Sequence, residues 1–330
     1  MADTELTSHY VPLHDYGLGD LRPRIQSGAQ PQRLLLSLLG TYWREPTLGI
    51  PSAALVELVG EFDITSASGR VALSRLARRG FLRLERSGRN TAYALTDLAS
   101  TFLEEGRRQI FTFGTPTMEW DGRWRCVAFS VPENDRRLRH LLRGRLRFAG
   151  FAPLYDGLWV SPNDRVAQAV RAIDDLGVPH ATVFVGEVGD GVRGNGDPVS
   201  AWELPTIRSQ FEAYMRRFAP VLKKARAGRL PPSDAMIHHF YMIDEWLFLS
   251  FDDPDLPDPL LPADWPRDEA RALFVELNDL IAPLAATRVR DLLSRRDQEL
   301  GQYVGYYTVA NVMESVRRDR RRAASGQVRG

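Results

Sequence analysis

From Pro31 onward, apolar positions recur at helical spacing. In "PQRLLLSLLGTYW" Pro31 occupies a first-turn position, where its missing N–H costs nothing. "PSAALVELVGEF" repeats the device, with Pro51 and Ser52 ahead of Ala54, Leu55, Leu58 and Val59. Asp63 to Thr65 reads as a short turn into a third helix that ends near Gly80. The period then changes to two. Leu82 and Leu84 alternate with Arg83 and Glu85, Tyr93 and Leu95 alternate with Ala92 and Ala94, and "SGRN" between the runs reads as a hairpin turn. Helix, helix, helix and hairpin is the order of a winged helix-turn-helix, and a further helix from about Asp97 to Arg108 leads away from it.

The middle of the chain alternates differently. "RWRCVAFSVP" is strand-like, "DRRLRHLLRGRLRFAGF" an amphipathic basic helix, "APLYDGLWVSP" a strand bent at Asp156 and Gly157, "RVAQAVRAIDDLG" a helix and "HATVFVGEV" a strand. That order fits a small ferredoxin-like α/β sandwich. From Trp202 three helical runs dominate, the last two separated by the proline-rich linker "DDPDLPDPLLPADWP". The expected architecture is α+β and multidomain: a flexible arm over 1–30, a winged helix-turn-helix over 31–112, a ferredoxin-like domain over 117–190, a helical domain over 200–315 and a basic disordered tail over 316–330.

Composition changes this picture little. Charged residues make up 26% and hydrophobic residues 44% of 330 residues, as in a soluble globular chain. The longest leucine-rich segment, Leu34 to Leu39, is far short of the roughly 20 apolar residues of a membrane span. The N-terminus lacks a basic start followed by an apolar run, so a cytoplasmic protein is expected. The single cysteine, Cys126, sits in a strand-like setting and reads as a small buried hydrophobe.

Charge placement is more telling. The whole chain has a formal charge of +1, yet Thr65 to Thr96 holds seven arginines and one acid, Glu85. On a wheel of about 100° per residue, Arg70, Ser74, Arg75, Arg78 and Arg79 share one half of the third helix, while Ala72, Leu73, Leu76 and Ala77 share the other. Val71 falls among the arginines, where a β-branched apolar group gains nothing from water but fits a thymine methyl, between guanidinium groups that reach guanine or phosphate. Arg86, Arg89 and Asn90 flank the hairpin turn, where they suit backbone or minor-groove contact. The pattern predicts a recognition helix and wing on double-stranded DNA. Gly69 is unusual inside a helix, and two readings stand: a helix starting after Ser68, or close packing against the second helix.

Three successive segments, "GRVALSRLARRGFLRLERSGRNTAYALT", "WDGRWRCVAFSVPENDRRLRHLLRGRLRFAGFAPLYDGLWVSP" and "LFLSFDDPDLPDPLLPADWPRDEARALF", resemble the PaaX family of bacterial transcriptional regulators, over roughly Gln32 to Leu293. The resemblance implies a winged-helix domain, a middle domain similar to the small CRISPR-associated ferredoxin-like nucleases and a C-terminal helical domain. It further implies a homodimeric regulator, usually a repressor of aromatic-acid catabolism, released from its operator by an aryl-CoA thioester such as phenylacetyl-CoA. Arg70, Arg75 and Leu76 take the places of the family's "R…RL" recognition pattern, and Gly88, Arg89 and Tyr93 those of its wing. Gly69, where a β-branched residue is more usual, and the basic tail depart from the family. For an acyl-CoA-like effector, Trp124, Tyr155, Trp159 and Trp246 are candidate walls and Arg143, Arg145 and Arg147 candidate phosphate contacts, although aromatics at these spacings also serve as ordinary core.

Rival readings find less in the residues. A nuclease needs an acidic metal ligand where the first middle strand ends, and Ser130 stands there, with Glu133 and Asp135 past Pro132. "GDGVRG", Gly189 to Gly194, matches G-x-G-x-x-G after a strand, but Asp197 and Pro198 follow where a helix should open, so a surface turn is expected. His238 and His239 are adjacent, hence on different sides of a helix, and read as structural. No catalytic residue, metal site or cofactor is expected, and no G-x-S-x-G, Walker or H-E-x-x-H motif occurs. An enzyme acting on nucleic acid or a CoA ester is the alternative function, and an adaptor whose winged helix contacts protein is the third.

Overall fold

The computed structural model describes residues 31–87, 90–115, 119–189 and 196–327; the arm, the tip of the hairpin and most of "GDGVRG" lie outside them. In chain order the elements are α1 (Pro31–Tyr42), β1 (Ile50–Pro51), α2 (Ser52–Gly60), α3 (Ser66–Arg78), β2 (Leu82–Ser87), β3 (Asn90–Leu95) and α4 (Asp97–Thr112). There follow β4 (Trp124–Ser130), α5 (Arg136–Phe148), β5 (Ala152–Tyr155), β6 (Leu158–Ser161), α6 (Val166–Leu176) and β7 (His180–Gly186). The chain ends with α7 (Leu204–Arg226), α8 (Pro232–Asp252), α9 (Arg267–Ser294) and α10 (Val309–Gln327). The result is a mixed α+β protein that divides into two compact units: Met1–Phe113 with Glu212–Ser250 and Asp268–Gly330, and Gly114–Phe211 with Phe251–Arg267.

The first unit joins the N-terminal elements and the C-terminal helices in one core. Leu34, Leu35, Leu36, Leu38, Leu39 and Tyr42 of α1 are all buried, more than one face of a surface helix presents. Partners on several sides explain this. α1 packs on α3 and α4, Tyr42 hydrogen-bonds His239 of α8, and Arg33 pairs with Asp244 of α8 at 3.1 Å. Trp246 stacks on Phe274 of α9 with centroids 5.0 Å apart and donates from Nε1 to the Ile110 carbonyl at 3.0 Å. Arg271 of α9 donates to the carbonyls of Phe111 and Phe113, where α4 ends. Arg288 clasps both carboxylate oxygens of Glu61, at 2.7 and 3.0 Å.

The small sheet of this unit has the order β1-β3-β2. β2 and β3 pair antiparallel from Leu82↔Leu95 to Ser87↔Asn90, as the alternation predicts. β1 was not legible: Ile50 and Pro51 pair with Tyr93 and Ala92, and a two-residue strand has no period to read. The C-terminal segment also differs from expectation. Its backbone is helical to Gln327 rather than disordered, because Val309, Val312 and Val316 recur at helical spacing, are buried and anchor α10 upstream of the arginine run.

In the second unit β4 to β7 form an antiparallel sheet of order β5-β6-β4-β7. Val127 and Trp159 on one face meet Leu142 and Leu146 of α5 and Ala169 of α6 in a buried cluster. The run over 152–161, expected as one bent strand, is a hairpin of β5 and β6 around Asp156 and Gly157. The Gly157 carbonyl accepts from Phe129 N at 2.9 Å, and a Cβ there would lie 2.9 Å from the Phe129 carbonyl, so the turn needs glycine. The proline-rich segment is a tied loop. The Arg267 guanidinium, almost wholly buried, reaches Asp255 at 3.1 Å, Asp258 at 3.2 Å and the Leu256 carbonyl. Burial pushes the Asp253 carboxyl beside it up to about 6 against the pull of Arg267.

Candidate nucleic-acid interface

α3 is shaped by its two ends and one glycine. Asp63 takes a left-handed φ of 59°, which an aspartate tolerates, and turns the chain out of α2. Thr65 then caps α3, its hydroxyl accepting from Ser68 N at 3.2 Å. Gly69 is therefore inside the helix, and close packing is the reason for it. A Cβ at this position would meet Val59 Cγ2 at 3.2 Å and Val56 Cγ2 at 3.5 Å, both on α2. Ala72, Leu73 and Leu76 complete the buried side.

With that side fixed, the opposite one faces solvent. Arg70, Val71, Ser74, Arg75 and Arg78 are all exposed, Val71 by 50%. Among the described residues no carboxylate or carbonyl engages the guanidinium groups of Arg70, Arg75 or Arg78. Glu85, the one acid of the stretch, is taken by Arg83 at 2.8 Å. Arg70 and Arg78 stand about 12 Å apart along the helix axis, at 1.5 Å per residue. Arg79 differs from the wheel. It is half-buried and donates to Gln32 Oε1 of α1 at 3.3 Å, so it is tied to the scaffold. Arg86 on β2 is exposed, Arg89 lies outside the described residues, and Asn90 opens β3 with its side chain undescribed. The arrangement presents a rigid cationic rod with one apolar group at its centre, suited to a polyanion that also carries methyl groups.

Within the second unit, the residues expected around an effector lie on both faces of the sheet. Trp124 lies on the sheet face of the second unit with Cys126 and Val160, whereas Trp159 is buried on the opposite face beneath α5 and α6. Tyr155 is 55% exposed on β5. Trp246 is core of the other unit. Arg143 binds Asp156 and Arg145 binds Asp175, each at 3.1 Å, and Arg147 lies over the Trp159 ring at 5.5 Å. Alternation along β4 sends Trp124 and the α5 arginines to opposite faces, which is why spacing alone did not separate them. Trp124 instead borders a cleft of about 520 Å³ with Trp120, Val188, Pro198, Val199 and Leu260. Trp202 stacks on Trp124, centroids 6.1 Å apart.

The remaining candidates have structural surroundings. His239 is enclosed between Tyr42 and Asn278, whose Oδ1 lies 3.0 Å from Nε2, and burial pushes its imidazole down to about 4. Burial likewise raises the Cys126 thiol. Among the described residues no three His, Cys, Asp or Glu side chains are grouped to hold a metal ion, and no helix is long and apolar enough to cross a membrane.

Comparison with known proteins agrees along most of the chain. Residues 30–99 match the family described as "PaaX-like protein", 117–197 the "PaaX protein central Cas2-like domain" and 202–291 the "PaaX-like protein C-terminal domain". A curated relative, the "Transcriptional repressor PaaX" of Escherichia coli (strain K12), is 26% identical over 230 residues, which is 67% of this chain and 71% of the relative. Among solved structures, the uncharacterized protein Rv0674 from Mycobacterium tuberculosis shares the fold with a TM-score of 0.50 and 23% identity, over 80% of this chain and 98% of that one.

Proposed function

Since this chain belongs to the PaaX family, we propose that it is a DNA-binding transcriptional repressor, not an enzyme, and that α3 is its recognition helix. The observation that carries the assignment of α3 is its outward arc, where Arg70, Arg75 and Arg78 have no carboxylate partner among the described residues and surround an exposed Val71. On this reading α1 to α3 with β2 and β3 are a winged helix-turn-helix, Arg70, Arg75 and Arg78 bind phosphate or guanine, Val71 and Ser74 favour particular bases, and Arg86, Arg89 and Asn90 place the wing. Arg79 acts by holding α3 to α1. The antiparallel order β5-β6-β4-β7 with two helices on one face supports a ferredoxin-like middle domain.

We further propose a cytoplasmic homodimer on a two-fold operator, released by a small aryl-CoA-type effector. A coupling of about 1–3 kcal/mol between effector and DNA sites changes operator affinity roughly 5- to 150-fold. The cleft beside Trp124 is the place for its aryl group, and the functional divisions are 31–112, 117–190 and 200–315, which cut across the two compact units. The test of the DNA assignment uses duplexes recovered by the purified protein from a random-sequence pool. Arg70→Ala and Arg75→Ala are each expected to weaken binding about 5- to 100-fold at fixed salt, in line with about 1–3 kcal/mol per base contact. Gel-shift titrations that overlay the parent protein refute the role of α3.

A further inference from the structure

Positive charge is concentrated a second time, on α5. Arg136–Phe148 contains six arginines and no acid, in a chain whose net charge is +1. Three leucines, Leu138, Leu142 and Leu146, hold the helix on its sheet. Arg143 and Arg145 are neutralised by Asp156 and Asp175, and Arg139 donates to the Val131 carbonyl at 2.7 Å. Arg147 lies over the Trp159 ring, which leaves Arg136 and Arg137 as the two arginines that the fold does not engage among the described residues. At about 100° per residue, Arg136, Arg147, His140, Gly144 and Arg137 fall within one arc of roughly 100°, and all five are exposed. Arg136 and Arg137 have no carboxylate partner among the described residues.

Two choices on this arc oppose helix stability. Arg136 and Arg137 stand in the first turn, where the helix dipole favours acids and disfavours cations. Gly144 lies in the helix interior, where alanine is preferred, and a Cβ there meets nothing within 4 Å, so no internal packing requires its absence. Both choices suit an outside polyanion, which gains from unpaired guanidinium groups and from close approach to a bare stretch of helix. Leu138, Leu142 and Leu146 of α5 are consumed by the core and Leu141 alone of its leucines is exposed, too little for the free hydrophobic face of a membrane-surface helix.

We propose that this arc of α5 is a second contact for double-stranded DNA, binding the phosphate backbone without regard to sequence. The inference rests on the DNA-binding reading and extends it to the second unit. Its test titrates the full chain with a mixed-sequence duplex over a range of salt. Arg136→Ala with Arg137→Ala is expected to reduce affinity about three- to tenfold and to flatten the plot of log K against log salt by about two, one per lost phosphate contact. Arg136→Lys with Arg137→Lys is expected to preserve the salt slope. Gly144→Gln is expected to keep or raise thermal stability while weakening duplex binding, a separation that a purely structural glycine does not give. If both the double alanine variant and Gly144→Gln bind the duplex as the parent does, while Arg70→Ala with Arg75→Ala binds worse, α5 is a solvated face and the inference is lost. If all three sets match the parent, the DNA-binding reading itself is lost. Loss of binding to phosphatidylserine vesicles with duplex binding intact assigns α5 to another polyanion and overturns the proposal.

Discussion

His239 is the residue whose surroundings have the most to say about pH. Its ring is buried neutral, and the folded value of about 4 lies below the unfolded value near 6.5. Between these values the unfolded chain binds more protons, so folding stability falls as pH drops through that window, by on the order of 3 kcal/mol for this group. Asp244, in the same unit, acts in the opposite sense. Burial raises its carboxyl to about 6 despite Arg33, so the folded chain holds the extra proton between about 4 and 6 and gains stability on acidification. The expected result is a shallow acid branch in the parent protein. His239→Gln is less stable at pH 7, by about 1–3 kcal/mol for the broken buried bonds, and the gap to the parent narrows at pH 5. Urea unfolding at the two pH values measures it; a gap that widens on acidification contradicts the buried neutral imidazole. His238, its sequence neighbour, shows why adjacency told only half the story: the helix sends one ring into the core and leaves the other half-buried.

At the scale of elements, α2 and α3 are held together at a point where one methyl decides the distance. Gly69→Val places a branched side chain against Val59 and Val56, where even a single Cβ is already 3.2 Å from Val59 Cγ2. The expected cost is about 1–3 kcal/mol from overpacking, read in urea unfolding, together with weaker binding to selected duplexes because α3 is pushed off its seat. Unchanged stability and binding imply that α2 yields and that α3 is not rigidly placed. The glycine was visible in the sequence; its reason was not, because helical periodicity says which face is buried but not how near the neighbouring helix comes. The hairpin was readable for the opposite reason. A period of two fixes which residues face together and "SGRN" fixes the turn, so the register Leu82↔Leu95 follows without tertiary information.

For the molecule as a whole, the notable departure from reading order is that the first unit takes its core from both ends of the chain. Residues 31–113 by themselves leave α1, Phe62 and the end of α4 without Phe240, Trp246, Arg271 and Phe274. A fragment of these residues is expected to bind a hydrophobic dye, to show weak near-ultraviolet ellipticity and to melt without a sharp transition. Addition of a fragment beginning at Glu212 is expected to restore a cooperative melt. A fragment that melts sharply alone shows that the N-terminal elements have a sufficient core of their own. Shared burial of this kind also gives the C-terminal helices a mechanical hold on the scaffold of α3, through Arg33–Asp244, Arg288–Glu61 and the Tyr42–His239–Asn278 chain.

By itself the sequence determined the local matters: the helices and hairpin of the N-terminal part, the strand and helix order of the middle except for the β5–β6 hairpin, which reads as one bent strand, and the half of α3 that carries Arg70, Val71, Ser74, Arg75 and Arg78. Periodicity, caps and charge runs are properties of neighbours along the chain, and they survive whatever the rest of the molecule does. Tertiary structure alone decided which aromatics meet, that Arg79 turns to Gln32 and Arg267 gathers the proline-rich loop, that Ile50 and Pro51 make a third strand, and that two distant segments fill one core. Those outcomes depend on packing between residues far apart in sequence, where only the assembled surfaces set distance and partner.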